Sequence, residues 1–241
     1  MEVGSSMMLA RYHLSGGPWP SADEELQVDD DGSFMLYRTI GAKVGRFAGR
    51  VPAPEFEALL DEIECARPWR GDEPAGPPPY PPSSTAALSP DAAIEVFSTA
   101  AGLDIPTPGA AVDPAAARLH DRLRRWADEL TDAPVGAVEA SVDADWSKIS
   151  IRHLGTAPVE LTDLRVAAQV PRLGIAGGDE PVTSDLPAVS DQWAGSGWTW
   201  TFPLRAPAAP APDLVLRVDI SGWLKTEGVS RRVTMTCFAN G

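Results

Sequence analysis

The chain of 241 residues predicts an α+β domain, an antiparallel sheet with two helices, followed by an antiparallel β-sandwich. Two observations carry this expectation. Up to about residue 131, short alternating segments are interleaved with two stripes of helical period. From Val135 onward the alternating segments continue, bounded by Gly, Pro, Asp and Ser, with no helical stripe among them.

Residues 7–14, MMLARYHL, suit a first strand closed by the turn signal SGGPWPS. ELQVDDDGSFMLYRT reads as a hairpin. Leu26 and Val28 alternate with polar residues, Asp30 to Gly32 supply a left-handed turn, and Phe34 and Leu36 face opposite to Met35 and Tyr37. KVGRFAGRV is a fourth strand leading to Pro54, which suits the first turn of a helix. Phe56, Leu59, Leu60 and Ile63 then fall at the spacing of one buried helical face. After the next loop, DAAIEVFSTA predicts a strand with Ala92, Ile94 and Val96 on one side. The second helix is capped by Asp113, with Pro114 in its first turn. Leu119, Leu123, Trp126 and Leu130 form its buried stripe, and Arg118, Arg122 and Arg125 its outer face.

The segment GDEPAGPPPYPPSS, residues 71–84, follows the first helix and precedes a strand. It therefore belongs inside the first domain. Consecutive prolines enforce polyproline II and cannot donate to a ladder, which predicts a stiff surface loop. Pro77, Pro78, Pro79 and Tyr80 also make a pattern that an aromatic groove could read, so a docking peptide is the alternative.

The segments AVEASVD, KISIRHLG, PVELTDLRVAAQV, GWTWTFPL, DLVLRVDIS and RRVTMTCF build the second half. Short strands at this spacing predict an immunoglobulin-like sandwich. The boundary falls near Asp132–Gly136, giving domains of residues 1–133 and 134–241.

The order strand, glycine turn, hairpin, strand, helix, strand, helix over residues 7–131 is carried by YHLSGG (Tyr12 to Gly17), LQVDDDG, FEALLDEIE and RLHDRLRRWADEL. It resembles the small emfourin-type domains and related bacterial α+β domains, over about half of the chain. The resemblance implies the topology and, through emfourin itself, inhibition of a metalloprotease by a protein–protein interface. Pro18-Trp19-Pro20 after the glycine pair, the proline insert and the whole second half depart from that pattern.

The net charge of −14 and pI of about 4.5 oppose binding to nucleic acid or anionic lipid, since both depend on Lys and Arg. Lys43, Lys148 and Lys225 are the only lysines; with abundant Ala, Pro and Arg they suggest a GC-rich bacterial genome. Cys65 and Cys237 form no metal or redox spacing and read as small buried hydrophobes in a reducing compartment. The first residues lack a basic region followed by an apolar run, and no stretch approaches the roughly 18 apolar residues of a membrane span. The expected location is the cytoplasm.

No catalytic constellation emerges. His13, His120 and His153 have no partner at metal-binding spacing. Asp29, Asp30 and Asp31 lack the alternating ligands of a calcium loop and read as a turn. Asp143 and Asp145 could share a face, but no second acidic cluster accompanies them. AGSGW around Ser196 runs into an alternating strand where a nucleophile elbow needs a helix, and LGIAGGDE has no phosphate-loop lysine. Trp198, Trp200 and Phe202 share one face at period two, as core, partner interface or sugar platform. Trp19, Trp69 and Tyr80 are the candidate partner-binding residues, Trp being favoured at interfaces. No catalytic, cofactor or metal residue is expected. The sequence points to a non-catalytic accessory or scaffold protein that binds another protein. The alternatives are a protease inhibitor acting through the N-terminal domain and an enzyme with a carboxylate-based site.

Overall fold

The computed structural model describes residues 8–16, 22–65, 91–98, 101–105, 114–171, 180–191 and 197–241. Among these, antiparallel strands dominate and two helices complete a sheet-rich α+β arrangement. Trp19, Trp69, Tyr80 and the segment 71–84 lie outside the described residues.

The elements run β1 (Met8–Gly16), β2 (Ala22–Asp29), β3 (Ser33–Arg38), β4 (Ile40–Gly41), β5 (Lys43–Arg50), α1 (Ala53–Cys65), β6 (Asp91–Ser98), β7 (Ala101–Ile105) and α2 (Pro114–Glu129). After a single 3-10 turn at Leu130–Asp132 come β8 (Pro134–Val142), β9 (Lys148–Gly155), β10 (Val159–Gln169), β11 (Val182–Asp185), β12 (Val189–Ser190), β13 (Thr199–Pro203), β14 (Val215–Thr226) and β15 (Val229–Asn240). They form two compact units: Met1–Met35 with Gly49–Glu129, and Leu36–Ala48 with Leu130–Gly241. The second unit therefore also takes in a segment that precedes α1 in the chain. The loop from late β3 through β5 joins the second unit because Lys43, Val44, Gly45 and Arg46 pair with Glu139, Val138, Ala137 and Gly136 of β8.

In the first unit the strands run in the order β7-β6-β1-β2-β3. Tyr12 pairs with Leu26 and Ala10 with Val28, and all four are fully buried. At the β2–β3 turn Gly32 takes φ +80, which a β-carbon disfavours, and its amide donates to the Asp29 carbonyl at 3.0 Å. α1 starts where the Phe56 amide donates to the Pro52 carbonyl, with Pro54 in the first turn as expected. Leu59 and Ile63 are buried, but Leu60 is 41% exposed, so the apolar face of α1 is narrower than its sequence stripe. α2 buries Leu119, Leu123, Trp126 and Ala127. Arg122 is not an outer-face residue: it reaches α1, where Nε donates to Glu62 at 2.8 Å and Nη1 to Glu55 at 3.0 Å.

In the second unit one set of strands runs β13-β9-β8-β5-β3 and the other β11-β10-β14-β15-β4, with β12 on β10. Both sets feed one core: Val138, Ile149, Ile151 and Phe202 come from the first, and Leu161, Val218, Ile220 and Met235 from the second. The strict alternation of β14, with Leu216, Val218 and Ile220 all fully buried, is the sequence pattern made physical. β8 and the β14–β15 hairpin approach closely at Gly136, where a β-carbon would lie 2.0 Å from Thr226 Oγ1.

Candidate functional site

β13 ends its sheet, and its outer side faces no described strand. Its register pairs Trp200 with Ile151 and Phe202 with Ile149. The His153 amide donates to the Trp198 carbonyl at 2.7 Å, and the Leu204 amide to the Ser147 carbonyl at 2.8 Å. The even-numbered residues therefore spend their backbone groups on β9. By the alternation of an antiparallel ladder, the N–H and C=O groups of Thr199 and Thr201 point to the open side. The aromatic row expected on one face divides. Phe202 is buried and Trp200 packs partly buried on the core, whereas Trp198, just ahead of the strand, is 50% exposed. Gly197, with φ +92, brings the chain into that position.

The outer face beside this edge is basic and hydroxylic. Thr199, Thr201 and Pro203 are exposed opposite Arg152, Ser150 and Lys148. Arg152 bridges to Glu139 at 2.5 Å. Lys148 and Arg205 are exposed, with no carboxylate partner among the described residues.

Two further aromatics stand out on the other sheet. Trp223, opposite Thr162 and Arg232, is 44% exposed, and Phe238, opposite Arg217, is 63% exposed. Beside Phe238, Asp219 accepts Arg217 Nη2 at 3.2 Å and the Thr236 hydroxyl at 2.6 Å. Neither aromatic was singled out from sequence. The parity of β14 carries the signal, because Trp223 falls out of phase with Leu216, Val218, Ile220 and Leu224.

His153 lies on β9 and its Nδ1 meets Oδ2 of Asp191, both residues being buried. The other oxygen of Asp191 accepts the Val159 amide at 2.6 Å, and the Asp191 amide donates back to the Val159 carbonyl at 3.0 Å. The pair ties the chain after β12 to the start of β10. Asp191 could not be found by spacing, since its partner is far along the chain. His13 lies on β1 and His120 on α2, with side chains outside the described residues.

The acidic turns close on themselves. Asp143 Oδ1 accepts the amides of Ser147 and Lys148, each at 2.8 Å, and Oδ2 accepts the Ser147 hydroxyl at 2.9 Å. Burial opposes its ionisation, but these donors outweigh that and hold the carboxyl below its ordinary range. Asp145 joins the same turn through the Ser147 amide at 3.2 Å. The Ser33 hydroxyl and amide, with Arg50, lower Asp31 in the same way. Among the described residues no group of His, Cys, Asp and Glu side chains could hold a metal ion. Burial, with Asp219 nearby, pushes the Cys237 thiol up to about 11, which suits an inert core residue. The Cys65 side chain lies outside the described residues. No described helix is long and apolar enough to cross a membrane. What these residues offer is an aromatic, partly unpaired β surface, and no family model, curated protein or solved structure matches the chain.

Proposed function

We propose that this is a non-catalytic protein-interaction protein, an accessory or scaffold subunit of the cytoplasm, whose second unit is an immunoglobulin-like sandwich. One observation carries the reading: Trp198, Trp223 and Phe238 are exposed to 50%, 44% and 63% on the second unit. Large aromatics cost hydration free energy when left in water, and they dominate the energetics of interfaces that cover them. The His153–Asp191 pair, enclosed and committed to backbone, supports a structural use of the histidine. Trp19, Trp69 and Tyr80 belong to the same proposal as contacts from the N-terminal domain.

The test is affinity capture of the tagged full chain from a lysate of its own cells, with mass spectrometry of what is retained. A stoichiometric partner is expected with the wild type and lost on Trp198→Ser, Trp223→Ser or Phe238→Ser. Retention unaffected by all three, or no retention at moderate salt, would overturn the reading. A protease as the retained partner would turn it toward inhibition.

A further inference from the structure

We infer, resting on the interaction reading, that β13 is a strand-addition site for an extended acidic segment of a partner protein. Natural sheet edges are blunted by shortness, charged side chains, proline, bulges or a covering element. Thr199 to Phe202 carries no charge, and only Pro203 interrupts it, at its end. Its two outward residues, Thr199 and Thr201, each present an N–H and a C=O along a side that no described strand occupies. An added strand would gain main-chain hydrogen bonds there, the usual source of affinity in strand addition.

The chemistry of the occupant follows from the two ends of the strand. At the start, Trp198 offers a half-exposed indole for an apolar side chain. At the far end, Lys148 is paired in register with Pro203, and Arg205 follows; both are exposed and without a carboxylate partner among the described residues. Exposed cations outside any ion pair among the described residues stand out on a chain of net charge −14, here beside the Asp143–Asp145 turn that precedes Lys148. It favours a segment with Asp or Glu opposite Lys148 and Arg205, and like-charge repulsion disfavours a second copy of this chain.

The experiment uses the full chain and two labelled peptides, repeating Val-Glu and repeating Val-Lys, followed by fluorescence anisotropy at low salt. The glutamate peptide is expected to saturate and the lysine peptide to bind about tenfold more weakly or not at all. Thr201→Pro removes only an outward N–H, so it should abolish binding while the β9 ladder survives. Joint Lys148→Glu and Arg205→Glu should invert the preference. Hydrogen exchange on the wild type provides a check that needs no variant: the Thr199 and Thr201 amides should slow when the glutamate peptide is added. No saturation by the glutamate peptide, equal binding of both peptides, or amides that do not slow would overturn the inference. A cellular partner retained equally by wild-type and Thr201→Pro protein removes strand addition and keeps the interaction reading. Peptide binding together with an empty capture does the reverse.

Discussion

His153 and Asp191 meet inside the core of the second unit, imidazole Nδ1 against carboxylate Oδ2, at 1% and 2% exposure. The other carboxylate oxygen accepts the Val159 amide, so one buried side chain faces both the imidazole and the backbone. Asp191→Ala should cost about 3 kcal/mol, because it strands buried polar groups. His153→Leu should cost less, since Asp191 keeps its backbone bond. Urea unfolding of both variants and of the double variant checks this. Single losses that simply add would mean the two residues act independently.

Arg122 joins α2 to α1 through Glu62 and Glu55, and its guanidinium lies 5.9 Å from the Trp126 ring centroid. Its side chain is 16% exposed and that of Glu62 23%, whereas Glu55 is half in water at 49%. Arg122→Ala should therefore destabilise by about 1–2 kcal/mol and Glu55→Ala by less than about 0.5 kcal/mol. Thermal unfolding at low and high salt measures both. A larger loss for Glu55→Ala would contradict the assigned weights.

The turn after β8 gives a pH dependence of known sign. The Asp143 carboxyl is held below its ordinary value of 3.8 in the folded protein. Its contribution is thus complete above that value and disappears as pH falls through the lower folded value. The stability difference between wild type and Asp143→Asn should be constant from neutral pH down to about 5 and then shrink in acid. Urea midpoints across that range decide the matter, and a difference that widens in acid would contradict the turn-closing role.

At Gly136 a methyl group would sit 2.0 Å from Thr226 Oγ1 and 2.9 Å from its β-carbon. Gly136→Ala should destabilise by about 1–3 kcal/mol through overpacking. The Thr226 hydroxyl is buried without a hydrogen-bond partner among the described residues. Thr226→Val should therefore be neutral or stabilising, since no bond is lost. Differential scanning calorimetry of the two variants should give shifts of different sign or size, and equal losses would mean the hydroxyl has a partner.

Much of this fold was legible in the sequence because local patterns govern local structure. Asp30 to Gly32 marked the β2–β3 turn, and the stripe of Leu119, Leu123 and Trp126 marked α2. β4 was missed because two residues carry no period, and β11 because Val-Thr-Ser-Asp offers almost no apolar alternation. Leu60 belongs to the apolar stripe of α1 yet is exposed, since periodicity gives an angle and not the width of what covers it. The pairing of β5 with β8 joins segments separated by a helix, a strand hairpin and a second helix, and no local signal encodes it. The candidate surface was half visible: Trp198 was marked by its row, but only its exposure in the fold shows which member of the row leaves the core.

The excursion of Leu36–Ala48 into the second unit bears on how the chain is made and cut. During vectorial synthesis this stretch emerges long before β8, so the second unit must wait for its remaining strands while the first is still being threaded. Such nonlocal closure slows folding. It also makes the halves inseparable at the genetic level: a truncation after residue 133 would remove β5 from its neighbour and leave both pieces with a raw edge.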